Sequence, residues 1–253
     1  MIRRNGKTEQ SSGKRIIVVG WFGRWAEGSG EGALPRRAGR DGNHPSRVRE
    51  SELNAHGRVE AFHARELHYR RRGHDRVAAA HFVVSTGAVL HGPALDVGTG
   101  KGLVAIELAR TGLEVVSVDL DAGEQEVAAL LSAEAGVGGR IRLVQCDAAH
   151  LSYPDRHFGC VAMMDVLHHL GEPGPVLREV VRVLQDDGVV IIADFDEEGF
   201  ELVSSIHRED GREHPRSATT VSFAQEELVR AGLQTVTRTT GYLHDVVVLR
   251  RAR

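Results

Sequence analysis

Three glycines alternate with other residues in the stretch LDVGTGKG, at positions 98, 100 and 102. A glycine-rich loop that follows a strand lets the backbone approach a bound ligand closely. The triphosphate-binding motif G-x-x-x-x-G-K-[ST] is excluded, because Lys101 is followed by glycine and then Leu103, so no hydroxyl is placed to hold magnesium. The dinucleotide fingerprint G-x-G-x-x-G is matched only loosely, since the spacing here is G-x-G-x-G.

Two carboxylates accompany the glycine loop. Asp96 lies two residues before the first glycine, where it is poorly placed beside a pyrophosphate and well placed beside a ligand that carries an ammonium group. Asp119 closes the stretch VVSVD, and a carboxylate there can accept both hydroxyls of a ribose. Dinucleotides and adenosyl ligands both present a ribose, so Asp119 does not separate the two.

The elements that must position these residues alternate between strand and helix patterns. This alternation predicts an α/β fold, a Rossmann-like parallel sheet with helices on both faces. The runs TVTRTT and YLHDVVVLRRA predict an antiparallel hairpin at one edge. Before them, FAQEELVRAGL predicts a helix, with Ser222 and Gln225 spaced as an N-terminal capping box. The glycine loop falls at the carboxyl ends of the strands, where such sheets bind ligands.

The chain divides into two regions of different composition. Residues 1–49 carry eleven Lys and Arg, four Asp and Glu, and nine of the 29 glycines, with little apolar pattern. We expect residues 1–50 to be a flexible, basic, glycine-rich extension. Residues 51–253 are expected to form one domain, with N-terminal helices over 51–90 and the Rossmann-like core over 91–253.

The composition of the chain limits the binding partners and the cellular compartment that we expect for the protein. The formal net charge of −3 gives no overall attraction to nucleic acid. No apolar run is long enough for a membrane span. The two cysteines, Cys146 and Cys160, form no C-x-x-C motif, and both are expected to be core residues. A reducing cytoplasmic compartment is the expectation, and the oligomeric state is unknown.

Four stretches, in this order and spacing, resemble the class I methyltransferases that use S-adenosyl-methionine. They are LDVGTGKG, VDLD, CDAAHLSYPDRHFGCVAMMDVLHHL and REVVRVLQDDGVVIIADF, within residues 74–253. The pair VLHHL and REVVRVLQDDG is most similar to the small-molecule, UbiE-like (methyltransferase-11-type) branch. The commonest form of that branch carries Lys-Pro-Gly-Gly before the fifth strand, and this chain has QDDG there instead.

The resemblance implies S-adenosyl-methionine as cofactor, a small-molecule acceptor and no nucleic-acid substrate, since no [DN]-P-P-[YFW] motif occurs. It implies that Gly98 and Gly100 let the backbone approach the methionine part, that Asp96 places the ammonium group, and that Asp119 grips the ribose. The residues that it places around the rest of the cofactor are Leu120 on the adenine face, Asp147 and Ala148 at the adenine edge, and Asp165 beside the sulfonium.

Adjacent histidines, His168 and His169, follow the fourth strand at the edge where the methyl group is presented. Our hypothesis is that one of them faces the acceptor as a general base or orienting group, since an imidazole accepts a proton near neutral pH. Alternatively, one caps the following turn and the other packs beneath it. A cofactor-binding protein without catalysis and an NAD-dependent oxidoreductase are the alternative functions.

A metal site is not expected. Catechol-type O-methyltransferases hold magnesium with carboxylates after the fourth and fifth strands, and Asp165 and Asp194 match two such places. Phe195, however, stands where that resemblance requires asparagine. The fourteen histidines show no close ligand spacing, His207 and His214 being seven residues apart, and are expected to be scattered.

Overall fold

A computed structural model describes residues 54–214 and 216–251. The expected extension over residues 1–50 lies outside the described residues, so its conformation stays a prediction. The helices of the described part are α1 (Ala55–Arg71), α2 (Arg76–Ser85), α3 (Leu103–Arg110), α4 (Ala122–Glu134), α5 (Pro173–Val183), α6 (Glu197–Glu209) and α7 (Val221–Arg230). Its strands are β1 (Ala94–Val97), β2 (Val115–Asp119), β3 (Ile141–Gln145), β4 (Phe158–Met164), β5 (Leu184–Phe195), β6 (Leu233–Gly241) and β7 (His244–Arg251).

The strands form a single sheet in the order β3-β2-β1-β4-β5-β7-β6. The first five strands pair in parallel, and β7 runs antiparallel to both of its neighbours, β5 and β6. The expected Rossmann-like fold with an antiparallel edge hairpin is confirmed. The strand order reverses between β1 and β4, which places a ligand-binding crevice at the carboxyl ends of these two strands.

Two apolar layers hold helices against the sheet. On one face, α5 and α7 pack on alternate residues of the central strands, such as Val161, Met163 and Ile192. On the other face, α2 and α3 pack on the intervening residues, including Cys160 and Ala162. Because β4 is buried along its whole length, it reads in the sequence as a continuous apolar run.

Two helix starts illustrate how local sequence sets these boundaries. Asp121 accepts hydrogen bonds from the backbone N–H groups of residues 123 and 124 and so caps α4. The expected capping box at Ser222 is wrong: Thr220 caps α7 by accepting from the Phe223 N–H. Ser222 and Gln225 instead accept hydrogen bonds from Arg238 on β6. Among the described residues, no helix combines the length and apolarity that a membrane crossing requires.

Candidate functional site

The glycine loop joins β1 to α3 at the crevice. Gly98, Gly100 and Gly102 all have positive φ angles, of 83°, 46° and 78°, which side-chain-bearing residues adopt at a cost. A Cβ at Gly98 would lie 2.2 Å from Val166 Cγ2, whereas a Cβ at Gly100 would meet nothing within 4 Å. Gly98 is therefore required for packing, whereas the backbone of Gly100 faces open space.

Asp96 lies at the base of this loop and is 1% exposed. Its Oδ2 accepts a 2.6 Å hydrogen bond from the Ser117 hydroxyl, while its Oδ1 is buried without a hydrogen-bond partner. Burial raises the pKa of Asp96 to about 7, against the opposing effect of the Ser117 hydrogen bond. A buried carboxylate oxygen without a donor is costly, so this atom is suited to a donor brought by a ligand.

Asp119 ends β2 next to the loop. One of its carboxylate oxygens accepts from the Gly100 N–H at 2.8 Å, and the other accepts from the Asp121 N–H at 2.9 Å. A carboxylate has about four acceptor positions, so both oxygens retain capacity for ligand hydroxyls. The adjacent Leu120 side chain is 69% exposed and is available as an apolar face for a ligand ring.

The residues expected at the adenine edge follow β3. Asp147 is exposed and accepts from the Ala149 N–H at 2.9 Å, which closes the turn after the strand. Ala148 is half-buried and packs against the core below. The structure thus places both residues at the same carboxyl edge as Asp119.

Asp165 follows β4 in a left-handed conformation, with φ of 58°, which is uncommon for a residue other than glycine. Its carboxylate is paired with His244 Nε2 at 2.9 Å, at the start of β7. Burial alone would raise the pKa of Asp165, but the charge of and the hydrogen bond from His244 hold that pKa below its usual range. The pair ties the hairpin to the end of β4.

A second histidine lies against this pair. His74 is 1% exposed and neither of its ring nitrogens has a hydrogen-bond partner. Burial and repulsion from His244 lower the pKa of His74 to about 4, so its ring is neutral at pH 7. The rings of Tyr69 and Phe195 pack edge-on against it.

His168 is buried and held rigidly in a short 3-10 turn after β4. The carboxylate of Asp194, at the end of β5, contacts His168 at two points. One oxygen accepts a hydrogen bond from the His168 backbone N–H at 3.0 Å, and the other lies 2.6 Å from the ring nitrogen Nδ1. The other ring nitrogen, Nε2, lies 3.2 Å from Nε2 of His214. His169 is exposed, and its ring centroid lies 4.1 Å from that of His168.

The expectation that the histidines are scattered is wrong. Ligand atoms of His168, His169 and His214 lie within 4.8 Å of one another. His214 comes from the loop after α6, forty-six residues along the chain from His168, so no local spacing announces the group. The separate expectation that the chain holds no metal is not decided by this geometry.

Three other residues considered from the sequence have defined surroundings. Asp194 lies 2.6 Å from Nδ1 of His168, and Phe195, which stands where the catechol-type pattern requires asparagine, packs among histidine rings. Cys160 lies in the core of β4, where burial raises the pKa of its thiol to about 12.

A cavity of 380 Å³ opens beside this histidine group. His168 and Asp194 line it from the sheet, Phe200 from α6, and Thr220 from the start of α7. Arg216 also lines it, where its guanidinium forms two 2.9 Å hydrogen bonds with the carboxylate of Glu197. The volume lies within the range of small-molecule sites.

Comparison with known proteins relates this geometry to a family. Residues 95–192, which include the glycine loop, β2, β4 and β5, match the family described as a methyltransferase domain. The ubiquinone/menaquinone biosynthesis C-methyltransferase UbiE of Pseudomonas aeruginosa is 31% identical over 117 residues, 45% of each chain. This chain thus matches less than half the length of such curated relatives.

Solved structures show the same fold. A protein of Methanococcus maripaludis superposes with a TM-score of 0.60 at 17% identity, over 85% of this chain and 98% of that one. The glycopeptide N-methyltransferase MtfA, complexed with sinefungin, gives a TM-score of 0.57 at 19% identity, over 70% of this chain and 94% of that one. The family match thus covers residues 95–192, and the sheet order and the solved structures show that the chain has the class I methyltransferase fold.

Proposed function

We propose that this chain binds S-adenosyl-methionine at the glycine loop and transfers its methyl group to a small-molecule acceptor. The observation that carries the proposal is Asp96 Oδ1, a buried carboxylate oxygen without a partner at the end of β1. The cofactor's ammonium group is a donor of the required charge. The sinefungin bound by MtfA and the quinone-pathway name of UbiE are consistent with an adenosyl ligand and a small acceptor.

The remaining cofactor contacts follow from the loop and the strand ends. Gly100 leaves open space for the methionine part, Asp119 offers acceptors to the ribose hydroxyls, and Leu120 offers an apolar face to the adenine. Asp147 and Ala148 lie beyond them at the adenine edge. The bound cofactor supplies an already activated methyl group, so the protein's main task is to align the acceptor.

We also propose that either His168 or His169 contacts the acceptor and acts on it as a general base or as an orienting group. His168 has the better-defined orientation, because Asp194 contacts its Nδ1 and leaves Nε2 facing His214. His169 has the better access, because it is exposed. The 380 Å³ cavity beside His168 is the proposed entry for the acceptor. A cytoplasmic location belongs to the same proposal.

The cofactor assignment is tested by substitution of Asp119. Asp119→Ala should lower the affinity for S-adenosyl-methionine at least about 10-fold, because each charge-assisted hydrogen bond to the ribose contributes roughly 1.5–3 kcal/mol. Isothermal titration calorimetry measures the affinity. Asp187→Ala is the matched control, since Asp187 is an exposed aspartate near the start of β5, away from the crevice.

The same titrations separate the alternative functions. S-adenosyl-methionine and S-adenosyl-homocysteine should both raise the melting temperature, whereas NAD and NADP should not. Unchanged affinity in a folded Asp119→Ala variant, or stabilisation by NAD alone, would contradict the assignment. A protein that binds the cofactor without catalysis is distinguished by a turnover assay across candidate acceptors.

The acceptor-side assignment is tested once an acceptor is found. His168→Ala and His169→Ala should be compared for turnover and for cofactor affinity. Loss of a general base lowers the rate about 10²–10⁴-fold while cofactor affinity is retained. Parental turnover in both single variants and in the double variant, across neutral pH, would show that the pair is structural.

A further inference from the structure

We propose that His168, His169 and His214 form a binding site for a divalent transition-metal ion of the zinc class. The three side chains come from the turn after β4 and from the loop after α6, and their ligand atoms lie within 4.8 Å of one another. The residues proposed to bind the cofactor, at the ends of β1, β2, β3 and β4, include none of these three histidines.

The distance between two of the nitrogens matches a tetrahedral ion. Two imidazole nitrogens that each lie 2.0–2.1 Å from the same tetrahedral zinc are about 3.3 Å apart. Nε2 of His168 and Nε2 of His214 are 3.2 Å apart. His169 is exposed, so its ring can turn to complete a third ligand position.

The surroundings orient these rings as metal ligands are oriented. A metal-bound histidine usually donates its other ring N–H to a carboxylate or similar acceptor, which fixes the tautomer. Asp194 lies 2.6 Å from Nδ1 of His168, and the hydroxyl of Ser204 lies 3.4 Å from Nδ1 of His214. Each outer contact leaves Nε2 directed into the space between the rings.

Three protein ligands leave one tetrahedral position open, as in catalytic rather than structural zinc sites. Resting on the proposed function, this position would receive a heteroatom of the acceptor. The histidine pair would then act as an orienting group through the ion rather than as a free base. Metal binding itself does not depend on that role, so it is measured on the protein alone, without cofactor or acceptor.

The experiment uses the full chain without an affinity tag, stripped of metal by a chelator. Titration with Co²⁺ should give the visible absorption of a four-coordinate ion at a stoichiometry of one, and Zn²⁺ should displace it. His169→Ala and His214→Ala should each weaken Zn²⁺ binding by at least about 10–100-fold. Asp194→Asn, which keeps the side-chain volume, should weaken it by about 10–100-fold.

His207→Ala is the matched control. His207 lies on α6 with its ring 4.7 Å from that of His214, yet it is outside the three-ligand group, so its removal should leave the affinity unchanged. Circular dichroism and thermal melting check that each variant is folded. A parent protein that binds Zn²⁺ no more tightly than the His169→Ala/His214→Ala double variant would overturn the proposal. In that case the short Nε2–Nε2 contact is a hydrogen bond between the two rings. If the parent protein binds Zn²⁺ as expected but transfers no methyl group, only the proposed function is contradicted.

Discussion

At the scale of single residues, Asp96 combines burial with an unused hydrogen-bonding position. Its carboxyl is surrounded by the Ser117 hydroxyl, the Asp119 carboxylate and the Cys160 thiol, and none of these supplies a positive charge. Burial therefore favours the protonated form and raises the pKa to about 7. The protonation state of Asp96 therefore affects both the pH dependence of stability and the proposed binding of the cofactor.

The free energy of unfolding of the cofactor-free protein should contain a contribution from Asp96 that falls as pH rises from about 4 to about 7. In this window the folded state holds a proton that the unfolded chain has already released, so each step in pH favours unfolding, by up to about 4 kcal/mol in total. Asp96→Asn removes the contribution. Urea denaturation at a series of pH values, for the parent and the variant, measures the difference.

The exposed Asp187 provides the comparison for that experiment. Asp187→Asn removes the same charge from an exposed position and should leave the pH dependence of the parent unchanged. Identical pH dependence in the parent and in Asp96→Asn would show that Asp96 is ionised in the folded state throughout this range.

The sequence predicts the positions of the proposed cofactor residues better than it predicts the positions of the histidines. Asp96 and Asp119 sit at the ends of strands that carry their own apolar patterns, so their place at one edge follows from the fold. The histidines are different, because His214 reaches His168, and His74 and His244 reach Asp165, from separate parts of the chain. Their approach depends on how α2, α6 and β7 pack, which no local spacing records.

At the scale of elements, α6 packs against the turn of the β6–β7 hairpin, beside the 380 Å³ cavity. The hairpin turn, Tyr242 and Leu243, has positive φ at both residues. The Leu243 carbonyl accepts from the Asp196 N–H at 3.0 Å, next to the start of α6. Gly199 on α6 lies so close to the turn that a Cβ there would be 2.4 Å from the Leu243 oxygen.

Gly199→Ala should destabilise the protein by about 1–3 kcal/mol, because the added methyl group would push α6 away from the hairpin. Chemical denaturation measures the change. Gly174→Ala in α5 is the matched helical control, since its Cβ would meet only the mobile end of Arg178 at 3.3 Å. Its expected effect is neutral or stabilising by about 0.5–1 kcal/mol, from alanine's higher helix propensity. Equal effects of the two substitutions would argue against close docking of α6.

The sequence predicts the helices and strands correctly where their apolar periodicity is strong. It fails at the start of α7, where a contact with a distant strand takes the side chains that were expected to cap the helix. The seven strands and the edge hairpin follow from apolar runs and turn signals. The start of α7 was misplaced because Ser222 and Gln225 have the residue types and spacing of a capping box. In the structure, Arg238 on β6 engages both side chains, and Thr220 is left to cap the helix.

At the scale of the whole molecule, residues 54–251 contain the sheet, the helices on both faces and the glycine loop. Deleting residues 1–50 should therefore leave the melting temperature and the affinity for S-adenosyl-methionine nearly unchanged. The deleted segment is rich in glycine and basic residues and lacks the apolar pattern needed to join a core. Differential scanning fluorimetry and calorimetry on the shortened chain measure both quantities. Failure of the shortened chain to fold would show that the segment is structural.

The position of β7 has a consequence for the order of events during synthesis. β7 is the last strand to leave the ribosome among those described, yet it lies inside the sheet, between β5 and β6, and carries His244 to Asp165. Translation adds about 5–20 residues per second, and the earlier strands can begin to fold as they emerge. Until residues 244–251 have emerged, β5 presents an unpaired edge and Asp165 lacks the His244 side chain that pairs with it. A nascent chain whose β7 has not yet emerged therefore exposes the edge of β5 to pairing with other strands.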